Sequence, residues 1–81
     1  MKEIITVKEY NRRGREEYRK AVNEWKQQIG HNLKPFPFLP MFLMVDDNQE
    51  EYRSGYTVVG NHRVRYFQSL KDATEYSSLT D

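Results

Sequence analysis

Three prolines within six residues, Pro35, Pro37 and Pro40, constrain this chain more than any other feature. Each fixes its own φ and lacks an N–H, so no helix and no central strand can run through residues 35–40. Lys34, Phe36 and Leu39 precede them and are biased to extended backbone. The chain is therefore divided into an N-terminal part, a proline-rich loop over His31–Pro40, and a C-terminal part. With 81 residues in all, neither part can bury a core of its own. The two must share one, which makes a single domain.

The N-terminal part carries a helical pattern. Val7, Tyr10, Gly14, Tyr18, Val22, Trp25 and Ile29 recur at spacings of three and four, one face of a helix. Thr6 and Glu9 have capping-box spacing, and Gly30 stands where a terminating glycine would. Two readings fit. In one, a single long helix starts at Val7 and Gly14 admits something closely packed. In the other, Glu3–Lys8 is a strand, Asn11–Gly14 a loop and Arg15–Ile29 the helix. The second is preferred, because Ile4-Ile5-Thr6-Val7 is β-prone and an interior glycine costs a helix about 1 kcal/mol. Glu16 and Lys20 form an i,i+4 pair on the wet side.

After the prolines, Met41–Val45 is a short apolar run that reads as a buried strand. Asp46–Glu51 reads as a solvated turn. Tyr52–Val59 and Val64–Gln68, joined through Gly60-Asn61, read as a hairpin. Ser69 and Asp72 mark the start of a last helix, Leu70–Ser78. The expected fold is a small α+β domain, with an antiparallel sheet of three to four strands and two helices packed on one face.

Charge and composition narrow the function. Net charge is +1, distributed as +4 over residues 1–45 and −3 over residues 46–81, far from the basicity of a dedicated nucleic-acid binder. There is no cysteine, so thiol nucleophiles and thiolate metal sites do not arise. Met1–Tyr10 does not read as a secretory leader, and the apolar stretch Phe36–Val45 is too short to span a bilayer. A cytoplasmic setting is expected. His31 and His62 have no ligand-like neighbours in sequence. Asp46, Asp47, Glu50 and Glu51 lack the alternation and glycine of a calcium loop. The glycines at 14, 30, 55 and 60 form no phosphate loop, and Ser69, Ser77 and Ser78 have no nucleophile context. No enzyme, metal or cofactor is expected.

Three segments remain as binding candidates. Pro35–Phe42, with Phe36, Phe38, Met41 and Phe42, reads as an exposed aromatic–methionine patch, pre-ordered by its prolines, that suits a protein partner. Arg12, Arg13 and Arg15 would form a charged rim that speeds association. The competing reading buries those rings over the core. Arg12, Arg13, Arg15, Arg19 and Lys20, with Arg63, Arg65 and Tyr66 of the hairpin, could instead contact a nucleic acid through phosphates and stacking. Against this, Glu9, Glu16, Glu17 and Glu24 interleave with the helix's basic residues, as on a salt-bridged solvent face.

Ile5-Thr6-Val7-Lys8-Glu9-Tyr10, Gly14 and a helix reaching Trp25 resemble the first two helices of excisionase and MerR-type DNA-binding domains. The resemblance covers about half the chain. It implies a winged-helix fold, with Tyr56–Tyr76 as wing and short helix. The apolar residue and hydroxyl cap that should open a recognition helix after Gly14 are missing, and Met41–Arg53 has no counterpart. Size and Tyr, Lys and Glu content are similar to small early proteins of bacteriophages. The leading expectation is a non-enzymatic protein, phage- or mobile-element-encoded, that inhibits or modulates a larger protein partner. Nucleic-acid binding is the alternative, and a homodimer through an open sheet edge is compatible with both.

Overall fold

The structure is a computed structural model that describes residues 2–28 and 34–79. Strand β1 (Glu3–Thr6) runs directly into helix α1 (Val7–Lys26). A 3-10 turn (Leu39–Phe42) follows, then strands β2 (Tyr56–Val59) and β3 (Val64–Phe67) and helix α2 (Leu70–Leu79). The three strands form one antiparallel sheet in the order β1-β2-β3. The α+β class and the three-stranded antiparallel sheet are those read from the sequence.

Thr6 makes the strand-to-helix switch. Its backbone is extended, and its Oγ1 accepts the Glu9 N–H at 3.1 Å. The Val7 N–H, another donor left over at the helix start, is taken by the Gly55 carbonyl at 3.0 Å. The helix then runs unbroken through Asn11–Gly14, so the expected loop there is corrected. The N-terminus combines both readings, a strand followed at once by the long helix. Tertiary contact overrides the glycine penalty, because Gly14 is buried where only a bare backbone fits. The helix closes at Lys26, short of the expected Ile29. Ile29, Gly30 and His31 lie outside the described residues.

Two other boundaries move. Met41–Val45 is not a buried strand. Pro40 sits in the first turn of a 3-10 turn, Met41 N–H donates to Phe38 O at 3.0 Å, and only Val45 bridges to Glu51. The hairpin strand begins at Tyr56 rather than Tyr52, because Gly55 adopts φ 119° and interrupts the extended run. The turn between Val45 and Glu51 is closed by Asp46, whose carboxylate accepts the N–H groups of Asn48 and Glu50 at 2.8 and 3.0 Å. Ser69 caps α2 as expected, accepting the Asp72 N–H at 3.2 Å.

The helices take opposite faces of the sheet, not one. The register places Ile4, Val58 and Arg65 on one side and Ile5, Thr57 and Tyr66 on the other. Helix α2 covers the first side. Tyr76 packs on Phe67 at 5.2 Å between ring centroids, the Arg65 guanidinium lies over Tyr76, and Lys2 Nζ donates to Ser77 O at 3.3 Å. Helix α1 covers the second side, with Arg13 paired to Glu3 at 3.1 Å. The central strand is sealed on both sides, Val58 against α2 and Thr57 against α1. The Thr57 hydroxyl is buried without a partner among the described residues.

Fully buried apolar side chains among the described residues are few: Val7, Val58 and Ala73. The distal half of α1 reaches beyond the four-residue strands, and it packs instead on the proline loop and 3-10 turn. The molecule is elongated, 49 × 26 × 19 Å.

Candidate functional site

Along distal α1, Tyr18 and Trp25 form an aromatic ledge on which the proline loop lies. Phe36 meets both rings edge to face, at 4.9 Å from Trp25 and 6.5 Å from Tyr18. Phe42 meets Tyr18 at 5.7 Å. The Trp25 indole N–H donates to Lys34 O at 2.7 Å, and Gln28 Oε1 accepts the Lys34 N–H at 2.7 Å. These bonds clamp the start of the loop to the helix, and Pro35, Pro37 and Pro40 stiffen the residues beyond Lys34.

The loop's rings divide between the two roles weighed for them. Phe42 is half-buried against α1 and belongs to the packing. Phe36 and Phe38 are each 52% exposed, and Met41 is 81% exposed. Met41 has two readings in the sequence, the start of a buried strand and a member of an exposed aromatic–methionine patch, and its exposure matches the second. The 3-10 turn puts neighbouring residues on different sides, so Met41 points out while Phe42 points in.

Beside the loop lies an open cleft of about 300 Å³. Ile5 and Val59 of the sheet, Tyr10 and Gly14 of α1, and Phe42 form its apolar wall, with Met41 at its lip. Arg13 and Glu17 line it as well.

The three candidate arginines stand at the sheet end of α1. Arg12 lies thirteen residues before Trp25, about 20 Å along the helix axis. Each arginine is engaged by carboxylates. Arg12 bonds Glu9 at 2.7 Å and Glu16 at 2.5 Å, Arg13 bonds Glu9 at 2.8 Å and Glu3 at 3.1 Å, and Arg15 bonds Glu51. Hydrogen bonds from Arg12 and then Arg13 hold the Glu9 carboxyl down at about 2, against an ordinary 4.5. The same contacts raise both guanidinium pKa values, Arg12 chiefly through Glu9 and Arg13 chiefly through Glu3. This is the interleaved salt-bridge network that the charge pattern suggested.

The residues of the nucleic-acid alternative are not brought onto one surface. Arg12, Arg13, Arg15, Arg19 and Lys20 are on α1, whereas Arg65 lies on the opposite side of the sheet over Tyr76. The expected Glu16–Lys20 pair is corrected: Lys20 lies 3.5 Å from Glu17, and Glu16 is taken by Arg12. Arg63 is exposed in the turn before β3. Tyr66 stacks on Tyr52 at 3.7 Å, and its hydroxyl donates to Ser54 O at 2.7 Å, so one ring face is already occupied. Among the described residues the winged-helix arrangement implied by the excisionase resemblance is absent. One continuous helix replaces the helix–turn–helix, and a strand precedes it.

Sequence reasoning also missed Asn11. It is fully buried. Its Oδ1 accepts the Met44 N–H at 2.6 Å, and its Nδ2 faces Met44 O at 3.5 Å and Glu51 Oε1 at 3.3 Å. A side-chain amide thus pairs with a backbone much as a strand would, tying the segment after the 3-10 turn to α1. Its only sequence signal is its place three residues before Gly14, on the helix's apolar side.

No protein-family model, curated protein or solved structure matches this chain. Among the described residues no helix is long and apolar enough to cross a membrane.

Proposed function

We propose that this chain is a small non-enzymatic binding protein that inhibits or modulates a larger protein by occupying part of its surface. The observation that supports this reading is the way Phe36 and Phe38 are presented. Both phenyl rings are half in water on a loop fixed by three prolines and two clamping hydrogen bonds. Rings held in this way lose little conformational freedom on binding and can bury large area in a partner's pocket.

The two rings call for different variants. Phe38 has no ring contact among the described residues, so Phe38→Ala removes an anchor and leaves the aromatic packing on Tyr18 and Trp25 in place. Phe36→Ala also removes its contacts with Trp25 and Tyr18, and costs about 1–2 kcal/mol of stability. Affinity capture from host lysate with wild type and with Phe38→Ala, paired with thermal unfolding, tests the proposal. A captured protein that is lost with Phe38→Ala at an unchanged melting temperature supports it. Unfolding of Phe38→Ala makes the ring core and sinks the reading.

A titration with labelled duplex DNA, single-stranded DNA and RNA separates the alternative. Binding that falls steeply with salt, with a slope near −0.9 per neutralised phosphate on duplex DNA, would transfer the role to the arginines.

A further inference from the structure

The elongated shape leaves a large excess of surface. The chain exposes 6682 Å², whereas a compact monomer of 9.8 kDa exposes about 5,200 Å². Its radius of gyration is 15.2 Å, against about 12 Å for a compact domain of this length. The excess, roughly 1,500 Å² per chain, is spread over the whole elongated outline, and a standard interface of roughly 800 Å² per partner fits within it.

One region of that surface is self-complementary. Met41 projects as an apolar knob, 81% exposed, at the lip of the cleft walled by Ile5, Tyr10, Gly14, Phe42 and Val59. A two-fold dimer places the same patch on both sides of its interface, so a patch must offer both a projection and a matching recess. Here the two are adjacent. We propose that the chain forms a two-fold homodimer in which Met41 of each copy fills the cleft of the other.

The chemistry of the patch suits this occupant. Methionine is unbranched and flexible, and it fills irregular apolar space. The cleft's charged residues, Arg13 and Glu17, have opposite signs, so two facing copies bring no surplus of like charge together. A net charge of +1 per chain adds almost no long-range repulsion. Phe38 is not among the residues that line this cleft.

Sedimentation equilibrium on the wild-type chain, from micromolar to near-millimolar concentration, should give twice the chain mass. Met41→Glu should weaken the dimer at least about tenfold with an unchanged circular dichroism spectrum, since the side chain stands in water. Phe38→Ala should leave the dimer intact, which separates this inference from the partner-binding reading. In a mixed-label sample, isotope-filtered cross-peaks should join the Met41 methyl of one copy to the Val59 methyls of the other. A monomer at every concentration overturns the proposal. So does a dimer that Met41→Glu does not weaken, or one lacking those cross-peaks.

Discussion

The carbonyl oxygen of Phe42 occupies the space that a β-carbon on Gly14 would need. Helix α1 and the 3-10 turn therefore touch backbone to backbone, and the Phe42 ring is free to turn onto Tyr18. The glycine that weakens the helix locally is what allows the loop to dock. The docked loop in turn positions Met41, Phe38 and Phe36.

Gly14→Ala tests which effect dominates. Helix propensity alone predicts a gain of about 1 kcal/mol. The close approach predicts the opposite, because backbone atoms on both sides must move, and overpacking of this kind costs about 1–3 kcal/mol or more. We expect a net loss of stability by denaturant unfolding, with disturbed Tyr18 and Phe42 ring signals by NMR. A stabilised variant would show that the helix and turn can separate cheaply.

Asn11→Ala should cost about 2–3 kcal/mol in chemical denaturation. It strands the Met44 N–H, which the buried amide now accepts, whereas the Met44 carbonyl keeps the Tyr52 N–H at 3.4 Å; an unpaired buried donor is expensive. Asn11→Asp keeps the size and the acceptor but removes the donor and adds a carboxylate beside Glu51. It should be no better than alanine at neutral pH and should improve as the solution is acidified. Equal stability of wild type and Asn11→Ala would mean that water replaces the amide without loss.

The Glu9 network predicts a pH dependence of definite sign. The carboxyl titrates near 4.5 when unfolded and near 2 when folded. Between those values the unfolded chain binds more protons, so acid favours unfolding. The contribution is complete above about pH 4.5 and fades as pH falls toward 2. Glu9→Gln, which removes the charge at constant size, should melt below wild type near neutral pH. That gap should close by about pH 2, and added salt should narrow it because these side chains are exposed. A gap independent of pH would mean that the arginines do not hold this carboxylate.

Much of the fold was legible in the sequence because it depends on neighbours. Thr6 caps Glu9 and Ser69 caps Asp72 across three residues. The hairpin of β2 and β3 closes around Gly60, and the spacing from Val7 to Trp25 marks one helix face, although the preferred reading breaks that helix at Asn11–Gly14. The pairing of Arg12 with Glu9 and Glu16 is likewise an i,i+3 and i,i+4 event. Such contacts need only the local chain, so composition and spacing determined them: an α+β domain with a capped, salt-bridged first helix and an aromatic loop stiffened by proline.

The tertiary structure decided everything that joins distant parts of the chain. Asn11 and Met44 are 33 residues apart, and no pattern near either one announces their bond. Gly14 is either a helix breaker or a docking point, and only the arrival of Phe42 makes it the second. Met41 and Phe42 are equally apolar, and the winding of the 3-10 turn sends one outward and the other inward. The two helices divide between the faces of the sheet because β2 is central and presents apolar or small side chains to both sides. These outcomes depend on which surfaces remain to be covered once the local elements exist, and that is a property of the packed chain.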